Sequence, residues 1–503
     1  MHIINRIFNE FEKRDIRYCH FKSNQHLDES FDGIADFDVL VDYKSSSACE
    51  ITLLEMNCKR FEPVKFGDYA GVENWIAFDP ESGKIFHLHL HYQLVSGKAL
   101  VKEYVLPWSE LFLSNSVKSE EYHIMIPDPN YEIILLMARN VIKTKWRKKC
   151  KAFFFGYSMP KDIKIEYDYL KQRIDSEKLY QAATAMLGER KGNRLAELIM
   201  KRDNLNRREF FKVYKMIRSS LKDYRRYGTC QAQVSTVVRR FSDLKNKFLS
   251  QYMNAFSMPK KVSKSGGRII AFVGIDGCGK STTAGVIRKW LSYKIEVKRF
   301  YMGEGDGQVP LFARIVKGIY GLLGGNKKTG TKKKGSDGNE RISFRKQPAT
   351  YIKKYVRALM IFSVVKANRK KIEKMERYRM NGGYSILDRF PQLQSEGLND
   401  GLKLKKFANQ LGSRHIAKLA EKEERMMQIV KRVQPDLLFR LIITPETSMK
   451  RKPEEQTDYE SIKQKADQFN KIQYSAKRVI DIDAERPYEE VLLEIKKEIW
   501  KEA

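Results

Sequence analysis

Residues 274–281 read Gly-Ile-Asp-Gly-Cys-Gly-Lys-Ser and fit the pattern G-x-x-x-x-G-K-[ST]. The chemistry this spacing supports is phosphate binding. Gly274, Gly277 and Gly279 let the backbone curl until its N–H groups, those of Asp276 and Cys278 included, face the phosphate oxygens of ATP. Lys280 then reaches the β- and γ-phosphates, Ser281 supplies a hydroxyl to Mg²⁺, and Thr282 continues the turn. A second acid is required to hold the metal or orient the nucleophile, and Asp388 meets that need at the end of the apolar run YSIL (384–387). Arg389 follows directly, and its planar fork suits a phosphate on an acceptor.

These side chains need particular elements to hold them. The run RIIAFV (268–273) is a short buried strand leading into the loop, and 282–292 has helical spacing after it. Strands at 295–303 and 384–387 belong to an alternation of helices and apolar strands, the pattern of a doubly wound parallel α/β sheet. We assign residues 268–503 to this P-loop domain and 257–267, SMPKKVSKSGG, to a linker. Residues 324–340 form a Gly/Lys-rich loop. Residues 126–256 read as a basic helical region, with helices near 131–143, 179–187, 193–200 and 210–221. Residues 1–125 are mixed α and β, with a helix at 4–14 and strands at 18–21, 37–41 and 85–94.

Composition sets outer bounds. The 503 residues, 42% apolar, suffice for two to four globular domains. Six cysteines without Cys-x-x-Cys spacing read as reduced thiols rather than a zinc or redox motif. No signal peptide and no apolar run of membrane-spanning length is visible, so the expectation is a cytoplasmic protein. The net charge of +33 favours anionic partners: nucleotides, phosphorylated small molecules, or nucleic acid or anionic lipid at the basic helices 143–149 and 207–225, with 312–323 a further candidate for a membrane surface. No nucleic-acid-binding signature accompanies that charge. A homodimer is compatible with the chain.

The run FVGIDGCGKST (272–282), with its acid Asp276, resembles the phosphate loop of thymidylate kinases, and ILDRF (386–390) resembles their Asp-Arg-aromatic motif. Arg369 in KANRKK (366–371) matches the family's acceptor-phosphate arginine, and 435–455 resembles its strand and lid, with Arg451 and Lys452 as lid residues. Residues 479–495 resemble its closing strand and helix. The resemblance implies an ATP- and Mg²⁺-dependent transfer of the γ-phosphate to a nucleoside monophosphate or other small phosphorylated acceptor, in a setting such as bacterial polysaccharide synthesis. Lys280, Asp388, Arg389 and Arg451 would be its catalytic residues. Cys278 stands where some members have an arginine, which assigns that charge to the lid. The family's Arg-Glu-Pro-Gly acceptor loop is replaced by GEGDGQVP (303–310), which leaves the acceptor open.

In the N-terminal part, Asp36-Phe-Asp38 enters an apolar strand after Gly33. An Asp-x-Asp pair on one strand face can hold metal ions over a triphosphate. The segment 20–42 resembles the nucleotidyltransferase strand, with Lys22-Ser23-Asn24 in place of the usual glycine pair and His89 where a third carboxylate is expected. His87, His89 and His91 share one strand face and are either metal ligands, with Asp36 and Asp38 behind them, or polar residues of a solvated or hydrogen-bonded face. Two further readings therefore stand beside the kinase: a nucleotidyltransferase with a nucleotide-sensing domain, and a non-catalytic basic adaptor.

Overall fold

A computed structural model describes residues 2–63, 69–98, 101–202, 205–251, 260–302, 347–394, 401–451 and 458–503. Lys452, the loop 303–310, the segment 312–323 and the insertion 324–340 lie outside these residues. The chain forms two compact units, Met1–Lys261 and Val262–Ala503.

In the first unit, strands β1 (Tyr18–His20), β2 (Phe37–Val41), β3 (Lys59–Glu62), β4 (Val72–Phe78) and β5 (Ile85–His91) lie in the order β1-β2-β5-β4-β3. The β2–β5 pair is parallel and the others antiparallel. Helix α1 (Ile3–Lys13) buries the predicted stripe Ile4, Ile7, Phe8 and Phe11. Phe8 stacks on Tyr18, ring centroids 4.5 Å apart. β5 is central in the sheet, so it is covered on both faces: Phe86, Leu88 and Leu90 on one, His87 and His91 on the other. Of the solvated or hydrogen-bonded histidine face that alternation left open, the structure has the hydrogen-bonded one, with His87 and His91 buried and His89 partly exposed.

Helix α2 (Pro129–Lys143) starts where the Asp128 carboxylate accepts from Asn130 N at 2.8 Å, with Pro129 at the first helical position. Ile133, Ile134, Leu135, Leu136, Met137 and Ala138 are all buried, so the helix is apolar around its whole circumference. It lies in one core with Cys19, Phe21, Leu40 and Leu94 from the strand region and with helices Ser176–Leu187, Glu189–Lys201 and Arg207–Ser220. The boundary expected at 125/126 therefore falls inside a single core.

The second unit holds strands β6 (Ile269–Gly274), β7 (Val297–Tyr301), β8 (Tyr384–Asp388), β9 (Leu437–Ile442) and β10 (Arg478–Asp483), in the order β7-β8-β6-β9-β10. All four pairings are parallel. β6 and β8 are buried at every position, which is why both read as unbroken apolar runs. From β6 the chain crosses to the edge strand β7, returns to β8 beside β6, and then reverses to β9 and β10 on the other side; ligands of such sheets bind beyond the strand ends at this reversal. Helix α3 (Lys280–Leu291) follows β6, and helix α4 (Pro348–Met380) precedes β8. Near the far end of α3, Trp290 lies 6.5 Å from Trp500 of the last helix, α6 (Tyr488–Glu502), between ring centroids; α5 (Pro445–Arg451) follows β9. Lys496 Nζ sits 5.6 Å over the Trp290 ring.

The segment read as a linker is partly fixed. Ser263 N donates to Gly382 O at 2.9 Å and Gly267 N to Arg379 O at 2.7 Å. A Cβ on Gly267 would fall 1.9 Å from Gly383 O, so only glycine allows this backbone approach. All six cysteines are free thiols. Among the described residues, no helix is long and apolar enough to cross a membrane.

Candidate functional site

The phosphate loop closes the gap between β6 and α3. Gly277 and Gly279 have φ of 84° and 89°, a left-handed backbone that side chains disfavour. A Cβ on Gly274 would meet Cys278 Sγ at 2.4 Å and Leu441 O at 2.8 Å. The thiol of Cys278 thus packs beneath the loop, and burial pushes its pKa up, away from nucleophilic reactivity. Lys280 is buried and donates to Ile275 O at 3.1 Å, so its ammonium folds back under the loop it serves. Asp276 stands between two cations, 3.4 Å from Lys280 Nζ and 3.6 Å from Arg389 Nη2. Ser281 and Thr282 are exposed at the first turn of α3.

β8 brings the second motif alongside. Asp388 pairs in register with Phe272, and Arg389 N donates to Phe272 O at 3.0 Å. Arg389 has φ of 74°, which turns the chain sharply away from the strand end and aims its guanidinium at the loop. Asp388 is fully buried. Its Oδ2 accepts from Arg299 Nη2 of β7 at 2.5 Å, while its Oδ1 has no hydrogen-bond partner among the described residues. A buried carboxylate oxygen left over beside a phosphate loop fits a cation or a water that serves one. Asp388 and Ser281 are the side chains that would hold Mg²⁺.

No family model matches this chain. The chain is 27% identical over 239 residues to the uncharacterized ATP-binding protein YghR of Escherichia coli K12, which covers 46% of this chain and 86% of that protein. It is 26% identical over 226 residues to the uncharacterized ATP-binding protein YghS of the same strain, covering 45% and 89% respectively. Among solved structures, a deoxyadenosine kinase from M. mycoides with bound dATP aligns at TM-score 0.26 and 15% identity, over 46% of this chain and 98% of that one, a likeness too slight to carry an argument.

Two residues expected at the site stand apart from Asp276, Asp388 and Arg389. Arg369 on α4 is half exposed and pairs with Glu373 of its own helix at 3.1 Å. Its neighbours anchor the helix instead: Asn368 Nδ2 donates to Met302 O at 2.8 Å and Lys371 Nζ to Tyr301 O at 2.6 Å. Arg451, the last residue of α5, donates to Ala484 O at 3.1 Å. The helix that carries it nevertheless reaches the loop, because Ser448 Oγ donates to Asp276 O at 2.6 Å. Arg299 and Ser448 are absent from the sequence reading. Arg299 left a trace, a charge at an alternate position of the strand VKRFY; Ser448 left none.

In the first unit, Asp36 and Asp38 lie two positions apart beside β5. Asp36 Oδ1 is 3.0 Å from His87 Nδ1, and His87 Nε2 is 3.1 Å from Asn74 Oδ1. Asp38 Oδ1 gathers Lys22 Nζ at 2.9 Å, His89 Nδ1 at 3.0 Å and His91 Nε2 at 3.5 Å. Burial opposes ionisation of Asp38, but Lys22 and the two histidines outweigh it and hold the carboxyl well below its ordinary value. Burial lowers His87 to about 4 and His91 to about 3, so both rings are neutral at physiological pH. Burial, and then Lys22 nearby, lower Lys102 to about 8.

Proposed function

We propose that the second unit is an ATP-dependent phosphotransferase that moves the γ-phosphate to a small phosphorylated acceptor, nucleoside monophosphates foremost. The observation that carries this reading is the convergence of Lys280 and Arg389 on the Asp276 carboxylate, 3.4 and 3.6 Å away, next to the unpartnered oxygen of Asp388. Two cations from different strand ends meet at one anion, which is the arrangement a transferring phosphoryl group requires. The two E. coli relatives are named as ATP-binding proteins, which supports the same reading.

In this reading the loop amides and Lys280 bind the β- and γ-phosphates, and Arg389 orients the acceptor phosphate in line. The phosphorus leaves the β–γ bridging oxygen, which stays with ADP, and bonds to an acceptor oxygen. Mg²⁺, when bound, neutralises charge on the phosphates. Arg451 is the lid residue: the Ser448 contact keeps its helix at the loop, and its guanidinium turns from Ala484 O toward the transferring group to exclude water. Arg369 exchanges Glu373 for the acceptor phosphate.

The test is ADP release, coupled to an indicator reaction, against a panel of nucleoside monophosphates and sugar phosphates. Wild type is expected to release ADP faster with one acceptor class, and Lys280→Ala and Asp388→Ala to lose that stimulation. Absence of acceptor stimulation across the panel, or wild-type turnover by Lys280→Ala, overturns the proposal.

A further inference from the structure

The group formed by Asp38, His89 and His91 is unrelated to the phosphate loop. β2 and β5 run parallel with Asp38 opposite His89, and His91 is two residues on, so all three side chains share one face. The three donor atoms are Asp38 Oδ1, His89 Nδ1 and His91 Nε2. Their separations are 3.0 Å for Asp38–His89, 3.5 Å for Asp38–His91 and 3.4 Å for His89–His91. An ion with four tetrahedral ligands at about 2.0–2.1 Å has ligand atoms about 3.3–3.4 Å apart. The donors already stand at the edges of such a tetrahedron. The chemistry of the set agrees, since two imidazoles and one carboxylate suit a divalent transition ion better than Mg²⁺, which prefers oxygen.

We propose that Asp38, His89 and His91 form a three-ligand site for a divalent transition ion of the zinc or cobalt kind, with the fourth position open to water or an anion. Lys22 bears on it directly. Its ammonium lies 2.9 Å from the same Asp38 oxygen, so it competes with the ion for that ligand. His87 stands outside this group: its Nε2 is 3.1 Å from Asn74 Oδ1 and its Nδ1 is 3.0 Å from Asp36 Oδ1.

The experiment uses the untagged full chain, stripped with a chelator, and two probes: Zn²⁺ by titration calorimetry and Co²⁺ by visible absorption. One equivalent per chain is expected, with a Co²⁺ spectrum of nitrogen and oxygen ligands that lacks a thiolate charge-transfer band. His89→Gln and His91→Gln should each weaken Zn²⁺ at least about tenfold, the lower end of what even outer-shell partners contribute. Lys22→Met should tighten binding. Circular dichroism and thermal unfolding, measured on each variant, identify any that fails to fold; the Lys22→Met arm then decides, because a folding defect cannot tighten binding. No bound equivalent in the wild type, a thiolate band, or binding unchanged in both histidine variants overturns the site.

Discussion

The Arg299–Asp388 pair gives the sharpest test of how the second unit is built. Asp388 is fully buried, and Arg299 is one third exposed. Removing one partner of a fully buried pair costs about 3–5 kcal/mol, because a charge is left without compensation. Partial solvation of Arg299 puts Arg299→Ala below that range, at about 2–3 kcal/mol. Asp388→Asn leaves the more exposed partner behind, where water reaches it, and should cost less. The measurement is amide hydrogen exchange of Ile269–Gly274, the strand between β8 and β9, in the full chain. At tenfold per 1.4 kcal/mol, Arg299→Ala should speed exchange by about 30–150-fold. The double variant should be more stable than Arg299→Ala alone, because the stranded charge is gone. Exchange in Arg299→Ala within about twofold of wild type, or strictly additive effects in the double variant, refutes the reasoning.

Other outcomes follow from single contacts. Lys280→Met removes a charge-assisted contact to phosphate worth about 1.5–3 kcal/mol, so ATP affinity by calorimetry should fall about 10–150-fold. Ser448→Ala breaks the hydrogen bond to Asp276 O and should cost about 1 kcal/mol in thermal unfolding. Gly277→Ala should cost more, because φ is 84° and the new Cβ would lie 3.1 Å from Ser448 O. In the first unit, burial and then Glu166 raise Glu132 to about 8. The folded chain therefore holds a proton that the unfolded chain releases near pH 4.5, and stability falls as pH rises between those values, with a limiting slope of about 1.4 kcal/mol per pH unit. Glu132→Gln should flatten the dependence of the urea midpoint on pH over that window.

Much of the second unit was legible because its signals are local. A parallel strand buried on both faces must be an apolar run, and a phosphate loop must place its glycines, lysine and hydroxyl within a few residues. The strands expected at 268–273, 295–303 and 384–387 stand within two residues of those bounds, while the two that follow came with the family resemblance. What escaped depends on neighbours distant in the chain. Arg299 meets Asp388 across 89 positions, and Ser448 meets Asp276 across 172. Arg369 lies on the helix before β8 and Arg451 ends α5, but a motif names a position and not a rotamer: one pairs with Glu373 and the other with Ala484 O. In the first unit the histidine face and its acidic neighbours were legible, but how deeply it is buried was not, because alternation along β5 cannot say what covers either side.

The aromatic pair at the far end of α3 makes the phosphate loop optically visible. Trp290 lies ten positions beyond Lys280, about 15 Å along one rigid helix, with Trp500 and the ammonium of Lys496 against it. The other three indoles, Trp75, Trp108 and Trp146, all belong to the first unit. A chain with those three changed to phenylalanine emits from the second unit alone. Its fluorescence offers a label-free test of nucleotide binding: a change on adding ATP that is lost in Lys280→Met would report capture at the loop.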